Sequence, residues 1–201
     1  TTVSVTVGSA NTAPTMTSVN IAPATANTST ELVATWTSGD VDAGDNEEAV
    51  EIKWALGGVE YLAVTTSTLV SSHTEKGQTW TASVRVNDGQ SWSDWLDSSG
   101  VAIINSPPVL ESFTIDSNTS TIAHEFTLEN SYKDDDATDI VEIDYTWYVN
   151  DQLQSGTPQT VAGDDVRIEA RAFDGSDYSN TLAVTFTIVS TPPTISFNGS
   201  T

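Results

Sequence analysis

Asp40, Asp42 and Asp45 stand in an Asp-x-Asp-x-x-Asp cluster, and the same spacing returns 94 residues on as Asp134, Asp136 and Asp139. Closely spaced carboxylates in a loop are a hard-oxygen donor set. Calcium takes about six to eight such oxygens and tolerates an irregular shell. A solvated acidic loop needs no repeated spacing, so the recurrence favours a shared task for the two clusters. Calcium is therefore the candidate cofactor, and hydrated acidic turns are the competing reading. Two more acids, Asp88 and Asp174, occupy a second repeated segment, Arg-x-x-Asp-Gly-x-x-aromatic-Ser, at 85–93 and 171–179.

Catalytic constellations are poorly supported. The only histidines, His73 and His124, fall at non-equivalent places in the repeat, and neither has a second histidine or a cysteine nearby. His124-Glu125 starts like a zinc-protease helix, but the fifth residue is Leu128 and the segment alternates like a strand. There is no Gly-x-Ser-x-Gly elbow, phosphate loop or dinucleotide fingerprint. With 28 Asp plus Glu, some pair of carboxylates is always at hand, so a glycosidase-like pair carries no specificity. The expectation is a protein that is not an enzyme.

Two further chemistries are written in the chain. Trp92 and Trp95 follow a turn and are candidates for stacking on a glycan, with cell-surface glycans the implied partner. Tyr178 stands where Trp92 does in the second repeat, so a plug between strands is the preferred reading for Trp92. Trp95 has no aromatic counterpart, and both readings stay open for it. Asn-x-Ser/Thr sequons mark Asn27, Asn118 and Asn198 as candidate glycosylation sites. The first two share a position, in the turn between the first and second strands.

These residues need elements to hold them, and the repeat defines those elements. Asn11-Thr12-Ala13-Pro14 returns as Asn105-Ser106-Pro107-Pro108, and Thr191-Pro192-Pro193 begins a third copy. Trp54 returns as Trp147, 93 residues on, and Arg85 as Arg171, 86 on, so the second copy is shorter between its Trp and its Arg. A period near 90 residues is long enough for each copy to bury its own core. Alternation of period two dominates, with no convincing helix. Strands are expected at 16–21, 31–37, 50–56, 59–64, 68–72, 79–87 and 101–104. In the second copy they are expected at 110–115, 123–128, 141–149, 159–161, 166–173 and 182–188. Gly57-Gly58 and Asn150-Asp151 read as two-residue hairpin turns. Asp88-Gly89 and Asp174-Gly175 read in the same way. Trp54 and Trp147 are expected at the core centre, against Trp36 and Phe126.

Composition sets the partner classes. Six Lys plus Arg against 28 acids leave a formal charge of −22, which repels nucleic acid and anionic membranes. Six Trp and the Val, Ile and Thr runs argue against disorder. Without cysteine, no disulfide or thiolate contributes. No apolar run reaches the roughly 20 residues of a membrane span.

Asp-x-Asp followed by a hydrophobic-x-Trp strand, then Val-x-Val-x-Asp-Gly and Asn-x-Pro-Pro, resembles tandem immunoglobulin-like repeats. The nearest kinds are polycystic-kidney-disease (PKD) and cadherin-like repeats of large bacterial and archaeal surface proteins. The resemblance implies an all-β chain of two tandem immunoglobulin-like sandwiches, about seven strands each, at 14–107 and 108–191. Residues 1–13 are read as a preceding repeat's closing strand or a donor strand, and 192–201 as the start of a following repeat or a C-terminal strand. The expected protein is extracellular: a surface-layer, filament or adhesin-stalk component. Thr2, Val3, Ser4, Val5, Thr6 and Val7 alternate like a closing strand without its domain. Either the chain is a window of a longer array, or this strand is added to a neighbouring copy of the chain. The alternative function is a carbohydrate-binding accessory module of a secreted hydrolase.

Overall fold

The computed structural model describes residues 10–42, 47–116 and 127–190. Thr2 to Val7, Asp45, Asn118, His124, Phe126 and Asn198 lie outside these described residues. The chain divides into two compact units, Thr1–Ser106 and Pro107–Thr201, each with its own core.

Unit 1 holds β1 (Thr15–Ala22), β2 (Ala26–Asn27), β3 (Leu32–Gly39), β4 (Ala49–Leu56), β5 (Val59–Tyr61), β6 (Thr68–Leu69), β7 (Thr79–Asn87), β8 (Leu96–Asp97) and β9 (Val101–Ile104). β1, β3 and β6 form one sheet, and β2, β9, β7, β4 and β5 the other, with β8 against β7. Pairing is antiparallel except between β2 and β9, where Ala26 and Asn27 run parallel to Ile103 and Ile104. The period-two pattern explains why two layers form. Along β7, Trp80, Ala82, Val84 and Val86 are buried while their neighbours face outward. Trp80, Ala82 and Val84 meet Trp54 and Ile52 of β4, and Val19, Ile21, Leu32 and Ala34 from the opposite sheet. Trp54 and Trp80 are wholly buried. Each indole N–H is satisfied, Trp54 donating to the Thr66 carbonyl at 2.9 Å and Trp80 to Gln78 Oε1 at 3.0 Å.

Unit 2 repeats the plan with fewer described strands: β10 (Val109–Ile115), β11 (Leu128–Lys133), β12 (Glu142–Val149), β13 (Gln152–Gln154), β14 (Asp165–Phe173) and β15 (Leu182–Thr187). β10 pairs with β11, and β13, β12, β14 and β15 form the second sheet. Its core gathers Leu110, Phe113, Trp147, Val166, Ile168, Ala170 and Ile188. The registers align the two units. Trp54 faces Ala82 and Trp147 faces Ile168, while Leu56 faces Trp80 and Val149 faces Val166. Unit 2 thus fills with Ile168 and Val166 the places that Ala82 and Trp80 hold in unit 1.

Several sequence expectations change. Residues 159–161 form no strand; Val161 is exposed and its carbonyl accepts from Asp164 N–H in a turn. The strand expected at 123–128 lies mostly outside the described residues, in which β11 runs at Leu128–Lys133. The strand expected at 59–64 stops at Tyr61, and the one expected at 68–72 gives way to a 3-10 turn, Ser71–His73. The Gly57-Gly58 and Asn150-Asp151 turns have positive φ at both positions, as a two-residue hairpin requires. Asp88-Gly89 and Asp174-Gly175 instead open four-residue loops, in which each Asp N–H reaches the carbonyl three residues on. Trp36 packs half-buried at the margin of the core rather than at its centre.

Candidate functional site

Both acidic clusters lie in the connection from one sheet to the other, β3–β4 in unit 1 and β11–β12 in unit 2. The first turn is the same in each. Asp40 Oδ1 accepts the Asp42 N–H at 2.8 Å, and Asp134 Oδ1 accepts the Asp136 N–H at 2.8 Å. An Asp two residues ahead of a bare N–H closes such a turn with its own side chain, which is why Asp-x-Asp folds this way. In unit 2 a further turn, Asp139 N–H to the Asp136 carbonyl at 2.9 Å, brings the third acid back. One carboxylate oxygen from each of Asp134, Asp136 and Asp139 then lies within 4.8 Å of the others. In unit 1 the counterpart of Asp139 is Asp45, outside the described residues.

The second repeated segment builds a loop at the end of β7 and of β14. Asp88 Oδ1 accepts N–H groups from Gln90 and Ser91, both at 2.7 Å, and Asp174 Oδ1 those of Ser176 and Asp177, both at 2.7 Å. Ser93 and Ser179 close the far side. Ser93 Oγ accepts from Val86 N–H at 3.1 Å, and Ser179 Oγ from Ala172 N–H at 2.8 Å. Asp-Gly-x-x-aromatic-Ser is thus a self-contained turn, with Gly89 and Gly175 at φ +97 and +94 where a side chain would be strained.

The residues before β1 join the two loops of unit 1. Asn11 Nδ2 donates to Asp88 Oδ2 and to Ser91 Oγ, both at 3.1 Å, and Thr12 N–H donates to Asp42 Oδ2 at 2.6 Å. The two loops therefore share one end of the sandwich. In unit 2 Asp174 faces the cluster closely enough to act on Asp134 electrostatically. Sequence reading left Asn11 out of the site. The signal was there in the repeated Asn-x-x-Pro of Asn11 and Asn105, a fixed spacing ahead of each first strand.

Burial tightens this end. Asp88, Asp136 and Asp174 are more than nine-tenths buried. Desolvation, partly opposed by the Asp136 N–H bond, raises the Asp134 carboxyl above its usual value, with Asp136, Asp139 and Asp174 adding like-charge repulsion. Asp88 is lowered, first by the Ser91 and then the Gln90 N–H bonds, with Asn11 helping. Three oxygens here are closed to solvent and accept no hydrogen bond: Asp40 Oδ2, Asp134 Oδ2 and Asn11 Oδ1.

The structure sets Trp92 and Trp95 on a different surface, the outer face of the larger sheet of unit 1. The Arg85 guanidinium lies 4.6 Å from the Trp92 ring centre and 4.8 Å from that of Trp95, and Lys53 Nζ lies 4.8 Å from Trp95. Glu51 holds Arg85 at 2.6 Å. Unit 2 repeats the device, with Arg171 over Tyr178 at 3.6 Å and Tyr178 Oη donating to Asp144 at 3.1 Å. His73 Nδ1 lies 3.0 Å from Tyr61 Oη. Asn27 lies in β2 rather than in an open turn, half-buried, its Oδ1 accepting from Ser29 and Thr30 hydroxyls.

Fold and loops together define a tandem immunoglobulin-like β-sandwich. No protein-family model matches the sequence, and no curated protein matches it. Among solved structures the chain is similar to the chicken interferon gamma receptor alpha chain, at 8% identity over 90% of this chain and 100% of that one, with TM-score 0.43. It is also similar to a structure from a 1.5-MDa bacterial ice-binding adhesin, at 14% identity and TM-score 0.36, and to the FN1-FN3 domains of chicken CNTN1, at 13% and 0.32. It covers 66% of each of those two chains, which in turn match 90% and 87% of this one. At such scores these likenesses say nothing of ligand or partner. Among the described residues no helix is long and apolar enough to cross a membrane.

Proposed function

We propose that this chain is a non-catalytic structural module of an extracellular surface protein, in which immunoglobulin-like domains repeat in series. The observation that carries this is the rebuilding of one loop geometry on two different cores. The Asp88 and Asp174 turns agree bond for bond, at 2.7, 2.7 and 3.3 Å, while the side chains beneath them differ. A catalytic or ligand-reading protein needs one site; a spacer needs the same unit many times. The strongly acidic surface suits a protein kept soluble and monodisperse. Within this reading the module serves a surface layer, a filament or an adhesin stalk, with Thr2 to Val7 as the strand added to a neighbouring copy.

Single-molecule pulling on the full chain tests the reading. Two separate unfolding events are expected, one per unit, and a glycan array is expected to stay blank. A sugar bound at low micromolar affinity and lost in Trp95→Ala would replace the mechanical reading with the carbohydrate-binding one. The half-buried Trp95 ring, with Arg85 and Lys53 both over it, argues against that outcome.

A further inference from the structure

We propose that strand β1 of unit 1 is a self-association edge, pairing antiparallel with β1 of a second copy of this chain across a two-fold axis. Tandem repeats need no such lateral pairing, so this contact and the array reading can each fail alone.

An edge strand leaves a row of N–H and C=O groups without partners, and proteins guard such rows with charge, proline, shortness or a cover. Among the described residues β1 pairs with β3 alone. It is 8 residues long, Thr-Met-Thr-Ser-Val-Asn-Ile-Ala, without a charge or a proline. Most other strands that could offer an edge are guarded. β2, β5, β6, β8 and β13 run for only two or three residues. β10 carries Glu111, and β11 carries Glu129 and Lys133. β15 holds no charge, but it stands where unit 1 has β9, which β2 covers.

The second unit serves as a control. β1 and β10 share a bulge, between Met16 and Ser18 and between Leu110 and Ser112. They share the hydroxyl bridge beyond it, Ser18 to Thr37 and Ser112 to Ser131, both at 2.7 Å. At the bulge itself unit 2 exposes Glu111 and unit 1 exposes Thr17. In the paired strand Glu129 and Lys133 stand where unit 1 has Thr35 and Gly39. Unit 2 thus charges the sheet at three places that unit 1 leaves neutral.

Charge also decides the partner. A chain of net charge −22 repels its own copies. β1, β3 and β6 contain no charged residue, so two copies meeting along β1 bring together the one described sheet without charge. An antiparallel pair across a two-fold is self-complementary. Both strands are already extended and held by β3, so pairing orders little new chain. From Ser18 to Ala22 the register against β3 is unbroken, which offers the partner a regular stretch.

The test follows the full chain by sedimentation equilibrium and amide hydrogen exchange, from micromolar to millimolar concentration. The dimer fraction is expected to rise with concentration and with added salt, which screens the repulsion of two acidic chains. Exchange in residues 15–22 is expected to slow as the dimer forms. Thr17→Glu, which copies the residue of unit 2, should weaken the dimer about tenfold or more, since it sets two carboxylates against each other across the axis. Thr35→Glu adds the same charge one strand in from the edge and should weaken it much less. Equal weakening by the two variants would mean a face-to-face contact and overturn the edge. So would slowed exchange only outside residues 15–22, or a chain still monomeric at millimolar concentration in high salt. Val5→Pro should leave the dimer unchanged; its loss there would give the β1 edge to the Thr2 to Val7 strand of a neighbour instead. If a variant fails to fold, the wild-type exchange map still decides.

Discussion

Unit 1 and unit 2 share their polar ends and differ in their interiors. Unit 1 wraps two wholly buried indoles, Trp54 and Trp80, and adds the short strand β6 beside β3. Unit 2 keeps Trp147, replaces the Trp80 position with Val166, and shows no strand between β13 and β14. Seven fewer residues separate Trp147 from Arg171 than Trp54 from Arg85, as the offsets of 93 and 86 require. The loops nonetheless match to within tenths of an ångström. Here the core is the adjustable part and the acidic end the fixed one, the reverse of what a purely packing-driven repeat would show.

The largest effects should come from the interiors. Trp54→Ala and Trp147→Ala each remove a central side chain, at a cost of about 3–5 kcal/mol in such positions. Calorimetry of the full chain should show the affected unit melting alone, with the other transition in place. A single merged transition would show that the two units do not unfold independently.

Smaller effects come from the turn that the units share. Ser93→Ala leaves the buried Val86 N–H without its acceptor, a loss of about 1–3 kcal/mol. Ser179 is less buried, so Ser179→Ala should cost less in unit 2. Equal losses by chemical denaturation would mean that burial of this serine does not set its contribution.

The outer faces rank next. Arg85 covers two rings and Arg171 one, each cation–π contact being worth about 0.5–1 kcal/mol at exposed sites. Arg85→Ala should therefore destabilise unit 1 more than Arg171→Ala destabilises unit 2, and should shift Trp fluorescence. If Arg171→Ala costs as much, the second ring does not contribute.

The smallest difference is one of titration, in the metal-free protein. Asp134 is raised, so its contribution to stability is present below the ordinary carboxylate value of 3.8 and is lost as pH rises through its higher folded value. Asp88 is lowered, so its contribution is present above 3.8 and is lost as pH falls through its lower folded value. Carboxyl NMR in EDTA should find Asp134 titrating above 3.8 and Asp88 below it; the opposite order would contradict the packing described for both loops.

Much of this was legible in the residues. The alternation of 79–87 and 166–173 marks the central strands because one face meets a core and the other meets water. Gly57-Gly58 and Asn150-Asp151 name their turns because few other pairs accept positive φ twice. Gln159-Thr160-Val161 misleads for the converse reason: its composition suits a strand, but Gly163 at φ +97 and the Asp164 turn hold it away from a partner. Asp88-Gly89 signals a turn without giving its length, since the carboxylate reaches two N–H groups that sequence does not count. The acids of the site are visible by spacing. The repeated Asn-x-x-Pro marks Asn11 as well, but not its role, which depends on two loops converging from distant strands.

The Asp88 and Asp174 turns have one more consequence, for the order of folding. Their longest bonds, Val86 to Ser93 and Ala172 to Ser179, span only seven residues. Closing so short a loop costs little chain entropy, and it can happen before any distant strand arrives. Each domain thereby carries its own starter for the hairpin that centres its sheet. Between two units of like design, a strand set in register by its own turn is less available to the wrong unit, which limits swapped, misassembled domains.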